Sequence, residues 1–181
     1  MLIRAEESAL VVVDVQARLL PAIHESGRVL RNAGILLKAA GALSVPVLLT
    51  EQYAKGLGET VEPVRAALPA GTPTIEKITF ASTGEPAFVA ALEGLRRRSV
   101  VLCGTEAHVC VLQTALGLLR LGYTVHLVAD AVSSRTPANH AAAIDRLRAA
   151  GASIVTTEMV VFEWLERAGT PVFKTVSALI K

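Results

Sequence analysis

Short unbroken apolar runs alternate along this chain with longer stretches in which apolar residues recur every three to four positions. The first run, Ser8 to Asp14 (SALVVVD), reads as a strand buried on both faces that ends in a carboxylate. Ser26 to Ser44 carries Val29, Leu30, Ala33, Leu36, Leu37 and Ala40 at helical spacing. Val45 to Thr50 is a second strand, with Pro46 at its start where a missing N–H does little harm. A polar, glycine-bearing loop, Glu51 to Gly58, and a short helix, Glu59 to Leu68, lead to a third strand, Pro73 to Lys77. Glu85 to Leu95 is helical, Ser99 to Cys103 is the fourth strand, and the turn Gly104-Thr105-Glu106 opens a buried helix from Ala107 to Leu121.

Tyr123 to Asp130 is a fifth strand. Thr136-Pro137 is an N-cap followed by proline at the first helical position, and that helix stops at Gly151. Ala152 to Thr156 is the sixth strand, Glu158 to Ala168 the next helix, and Val172 to Lys181 a closing helix. Such alternation predicts an α/β fold, a parallel sheet with helices on both faces. Ligands of such sheets sit beyond the C-terminal strand ends, where the strand order reverses. With the order 3-2-1-4-5-6, Asp14 and Cys110 face each other across the switch point, and Lys77 also falls at a strand end.

Composition narrows the class. The 181 residues fit one domain, 1–181, and at 52% hydrophobic but 4% aromatic the core is built mostly of Ala, Val and Leu. A formal net charge of +2 argues against nucleic acid or an anionic membrane as partner. The one basic run, Arg96-Arg97-Arg98, follows a helical pattern where cations suit a helix C-terminus. No signal-peptide pattern opens the chain and no apolar run approaches a membrane span. Two cysteines, Cys103 and Cys110, form no disulfide framework and read as reduced thiols of a cytoplasmic protein.

Cys110 falls in the first turn of its helix, where unpaired N–H groups and the helix dipole favour thiolate. It is a candidate nucleophile or, equally, a small buried apolar residue. Asp14 could take its proton and Lys77 could orient that base, the equipment of acyl transfer; separately, Asp14 could cap a loop and Lys77 could lie on the surface. Rival motifs fail. Gly56-Leu57-Gly58 lacks the third glycine of a dinucleotide fingerprint, and no Walker sequence is present. Six residues separate the cysteines, excluding a thioredoxin motif, and neither has the arginine of a phosphatase loop. His24, His108, His126 and His140 show no ligand spacing. His126 reads as a satisfied core residue, His140 as exposed, and His108 as a possible edge of the pocket.

The segments LVVVDVQARLLPAI, KITFAS and VLCGTEAHVCVLQTALGLLRLGYTVHLVADAVSSR resemble those of the isochorismatase-like cysteine hydrolases over nearly the full length. TEQYAKGLG, GTEAHVCVLQTA and EMVVFEWLERAGTPVFKTVSALIK are most similar to the isochorismatase domain-containing group. The resemblance implies a three-layer α/β/α sandwich, Rossmann-like, with six parallel strands. It implies a triad of Asp14 as base, Lys77 as its partner and Cys110 as nucleophile. It further implies a cis peptide at Thr105–Glu106 and an oxyanion hole from the backbone N–H groups of Glu106 and Cys110. Nicotinamidases of this superfamily carry an Asp/His metal site after the second strand; TEQYAKGLG has no histidine, so no metal and no other cofactor is expected.

The expected function is therefore hydrolysis of a small amide or related carbonyl compound through a Cys110 thioester. Gln16, Leu19, Gln52, Tyr53, Phe80, Ser82 and His108 are the pocket candidates. A binding protein without turnover, or a redox sensor using the same thiol, is the alternative. A homo-oligomer, dimer or tetramer, is expected by resemblance, and Val160, Phe162, Trp164 and Leu165 supply more apolar surface than one core-facing stripe needs.

Overall fold

A computed structural model describes residues 2–180. Six strands form one sheet: β1 (Ser8–Val13), β2 (Val47–Gln52), β3 (Thr74–Lys77), β4 (Ser99–Thr105), β5 (Thr124–Ser133) and β6 (Ser153–Val155). The order is β3-β2-β1-β4-β5-β6 and every pairing is parallel, as the alternation predicts. Around it lie α1 (Ser26–Ala42), the short α2 (Ala54–Leu57) and α3 (Glu62–Arg65), α4 (Pro86–Gly94), α5 (Leu112–Arg120), α6 (Pro137–Ala149), α7 (Thr157–Leu165) and α8 (Pro171–Ser177).

Strand alternation divides the core in two. Leu10 and Val12 of β1 pack with α1, α7 and α8. Ala9, Val11 and Val13 pack with α4, α5 and α6. All six residues of β1 are buried, which is why its sequence is an unbroken apolar run. Thr136 caps α6 as expected, its hydroxyl accepting from the Asn139 N–H at 3.2 Å.

Several strands outrun their apolar cores. β2 continues through Glu51 and Gln52 because their polar side chains find partners inside the fold. Glu51 Oε1 accepts from Thr60 N and Oγ1 at 2.6 and 2.7 Å, and the Gln52 N–H donates to Gln16 Oε1 at 2.8 Å. β5 runs on past Asp130 to Ser133, with Ser133 Oγ donating to the His24 carbonyl at 2.6 Å. The helix expected over Glu59–Leu68 shrinks to Glu62–Arg65, because Thr60 bridges Gln16 in an antiparallel pairing. No described helix is long and apolar enough to cross a membrane.

Candidate active site

The switch point lies between β1 and β4. Asp14 follows β1 with a left-handed backbone, φ 49°, a conformation that aspartate tolerates better than most side chains. Gly104, in β4 alongside, has φ 116°, and a Cβ there would clash with the Val13 carbonyl oxygen, so only glycine fits. Thr105 Oγ1 donates to the Asp14 carbonyl at 2.7 Å, tying the end of β1 to the segment before Cys110. The Thr105–Glu106 peptide is cis. The turn foreseen at Gly104-Thr105-Glu106 thus has its first two residues inside β4.

Lys77 ends β3, two strands from β1, and its buried side chain reaches Asp14. Nζ lies 2.7 Å from Asp14 Oδ2 and donates to Gln52 Oε1 at 2.6 Å, with the Phe80 and Thr79 carbonyls at 3.2 and 3.3 Å. Both charged side chains are 0% exposed. The other carboxylate oxygen, Asp14 Oδ1, accepts from Thr50 Oγ1 at 2.7 Å. Oδ2 has the lysine charge beside it but no well-directed hydrogen bond, which leaves it a lone pair for a further proton. The loop whose carbonyls hold Lys77 is itself pinned by Glu85, whose Oε1 accepts from the Ile78 and Thr79 N–H groups at 3.0 and 3.1 Å. Those bonds hold the Glu85 carboxyl below its ordinary value.

Cys110 reaches the same place from β4. Its segment, Ala107–Val111, is a π turn, closed by Val111 N–H donating to the Glu106 carbonyl at 3.2 Å, before α5 begins. Cys110 Sγ approaches Gln52 Oε1 at 3.9 Å, so thiol and Lys77 ammonium share one amide oxygen. Burial, reinforced by the Asp14 charge, pushes the Cys110 thiol up to about 12. The thiol is protonated at rest. Burial also raises the Asp14 carboxyl above its ordinary value, against the pull of Lys77 and the Thr50 hydroxyl. A carboxylate so raised is a better proton acceptor than an exposed one.

The pocket candidates separate into distinct roles. Gln52 belongs to the polar network itself. Gln16 is fully buried and spent on structure, its Nε2 donating to the Gln52 and Gly58 carbonyls at 3.0 and 2.6 Å. Ser82 is likewise buried, its N–H donating to Thr114 Oγ1 at 2.9 Å, and ties the loop after β3 to α5. Neither is free to meet a ligand. Leu19 is buried, whereas Tyr53 and Phe80 are exposed. Tyr53 lines a cavity of about 330 Å³ together with Lys55, Lys77 and Ile78. His108 is half-buried, with Nδ1 3.0 Å from Ser134 Oγ. Sequence reasoning missed Thr50 and the Glu106–Arg135 pair. In that pair the guanidinium grips the buried Glu106 carboxylate by two bonds of 2.8 and 3.0 Å, beside the cis peptide. The SSR signal at 133–135 could have drawn attention to Arg135.

Two histidines differ from expectation. His126 is buried but unsatisfied, with no hydrogen-bond partner at Nδ1 among the described residues. His140 is half-buried rather than exposed, its Nε2 3.2 Å from the Ala129 carbonyl. No group of three or more His, Cys, Asp or Glu side chains among the described residues could hold a metal ion.

A parallel sheet in this order thus gathers a cysteine, an ion-paired aspartate and a lysine at its switch point. The family model for the isochorismatase domain matches residues 8–159, and the chain belongs to that family. It is 38% identical over 177 residues to isochorismatase domain-containing protein 2A of Mus musculus, covering 97% of this chain and 84% of that one. Secreted isochorismatase effector Isc1 of Phytophthora sojae is 40% identical over 177 residues, covering 96% and 84%. Among solved structures, MAR1 ribonuclease from Caenorhabditis elegans superposes with a TM-score of 0.94 at 37% identity, covering 99% of this chain and 92% of that one. YcaC of Escherichia coli, titled an octameric hydrolase of unknown specificity, shares the fold with a TM-score of 0.92 at 24% identity, covering 99% and 90%.

Proposed function

We propose that this protein is a metal-independent cysteine hydrolase that cleaves a small amide or related carbonyl compound through a thioester on Cys110. The observation that carries this reading is the buried Lys77–Asp14 pair at 2.7 Å, with the Cys110 thiol on the same amide oxygen as the lysine. Asp14 takes the thiol proton as sulfur attacks the carbonyl carbon. The C–S bond forms, and the C=O π pair moves to oxygen. Backbone N–H groups of Glu106 and Cys110 hold that oxyanion. Collapse expels the leaving group, which takes the proton from Asp14. Water then attacks the thioester with Asp14 again as base, releasing the acid and restoring the thiol. Lys77 orients Asp14 and favours its ionised form between proton transfers, and Arg135 holds Glu106 in place.

A thiol protonated at rest supports this order of events over constitutive thiolate chemistry. It also weighs against the redox-sensor alternative, since oxidation follows thiolate character. The ribonuclease name of the Caenorhabditis relative raises RNA as a substrate. A nucleophile only 5% exposed, in a chain of net charge +2, favours a small molecule. Two free, buried cysteines support a reducing compartment such as the cytoplasm. Exposed Ile78 and Phe80 next to the Lys77 loop support a homo-oligomer.

The test is a panel of small amides and esters, with an RNA arm, run on the wild type and on Cys110→Ala. Cys110→Ala should lose at least about 10³-fold in turnover with an unchanged melting temperature. Turnover near wild type in Cys110→Ala, or Cys110-dependent cleavage of RNA alone, would overturn the reading.

A further inference from the structure

Ser99 opens β4 and His126 is the third residue of β5. In β4, Val101 and Cys103 face the α1–α7 side while Val100 and Leu102 face the other. In β5, Val125 and Leu127 also face that other side. Alternation therefore turns Ser99 and His126 to the same α1–α7 face. They sit close together, since Ser99 pairs with Thr124 and Val101 with His126. Their relative exposures are 7% and 4%. Neither Ser99 Oγ nor His126 Nδ1 has a hydrogen-bond partner among the described residues. Buried polar atoms are normally paired, so two orphans on one face of adjacent strands call for a partner from outside the chain.

Both residues line one cavity of about 510 Å³, together with Leu2, Arg4, Arg96 and Arg98. Glu6 and Glu7 also border it. Arg4 lies 3.4 Å from Glu6, and the two offset each other. Among the described residues Arg96 and Arg98 form no ion pair, so two guanidinium groups stand against Glu7, with the Glu163 carboxylate, which accepts from the Ile3 N–H at 2.6 Å, acting on His126. Helix C-terminal charge accounts for part of this basic run: α4 ends at Gly94, just ahead of it. It does not account for an unpaired hydroxyl and an unpaired imidazole in the same cavity. Burial holds the His126 imidazole below its usual value, against the pull of the Glu163 carboxylate. With its hydrogen on Nδ1 it is a donor.

We propose that this cavity binds a small oxyanion, a phosphate or carboxylate group, gripped by Arg96 and Arg98 and completed by the Ser99 hydroxyl and His126 Nδ1. Guanidinium forks match the geometry of such anions, and the two neutral donors supply the buried end of the site. The site lies at the N-terminal edge of the sheet, opposite Asp14 and Cys110, and does not depend on the catalytic reading.

The test titrates inorganic phosphate, and separately acetate, into the full chain at constant ionic strength while following the imidazole nitrogen resonances by NMR. A saturable shift of His126 is expected, with affinity at least about tenfold weaker in the Arg96→Gln/Arg98→Gln double variant and unchanged in Cys110→Ala. Response to phosphate alone assigns the phosphate class; response to acetate extends or reassigns it to carboxylates. The proposal fails if neither anion moves His126, if chloride moves it equally, or if the double variant binds as tightly as the wild type.

Discussion

The two edges of the sheet treat buried polar groups in opposite ways. At the C-terminal edge, Asp14, Lys77, Thr50 and Gln52 hold one another inside the chain, at 2.6 to 2.7 Å, and Asp14 Oδ2 has the lysine charge beside it. At the N-terminal edge, Ser99 and His126 are as deeply buried but have no partner. A network held by an internal ion pair fixes its members before any ligand arrives, which is what a reacting site requires. An unpaired one keeps capacity for something not encoded in the chain. The same parallel sheet builds both, because strand ends are where backbone and side chains emerge from the apolar layer.

Removing the charge partner breaks the paired edge most severely. Lys77→Met strands the Asp14 carboxylate in the core, and a loss of about 3–5 kcal/mol in stability is expected by urea denaturation. The double variant Asp14→Asn/Lys77→Met should recover more than half of it, since no lone charge then remains. Equal losses in the single and double variants would show that the pair does not act as a unit. A smaller effect follows from acidity. The Asp14 carboxyl is raised above 3.8, and once protonated it cannot accept the thiol proton. Activity should therefore fall as pH drops through a limb centred above the ordinary aspartate value, measured as kcat/KM against pH. A limb at or below 3.8 would remove Asp14 from the role of base. The smallest effect belongs to the open edge. Without a bound anion, Ser99→Ala removes an unsatisfied hydroxyl and should change stability by no more than about 1 kcal/mol, toward greater stability. A larger loss would mean that Ser99 is already paired.

Much of this was legible in the chain. Apolar runs such as LVVV mark strands buried on both faces, and their alternation with helices dictates a parallel sheet and its switch point. Asp14 and Cys110 could be grouped on that ground before any family likeness was considered, and Lys77 joined them as a third strand end. What lay hidden were pairings across strands. Gln16 and Ser82 look like pocket residues because they flank the right elements, yet each is consumed by bonds to segments 32 or more positions away. Gln52 looks like loop because it is polar, and becomes strand because Gln16 and Lys77 satisfy it. The raised thiol of Cys110 is hidden for a related reason. Helix position is local and visible, but burial beside a carboxylate is a property of the assembled fold.

The most direct measurement of the central claim is intact-mass detection of an acyl adduct during turnover of an activated ester, followed by peptide mapping. The expected result is a single adduct on Cys110 that forms in the wild type, accumulates at least about tenfold more slowly in Asp14→Asn, and is absent in Cys110→Ala. Turnover without an adduct on Cys110, or an adduct that forms at the wild-type rate in Asp14→Asn, would contradict it.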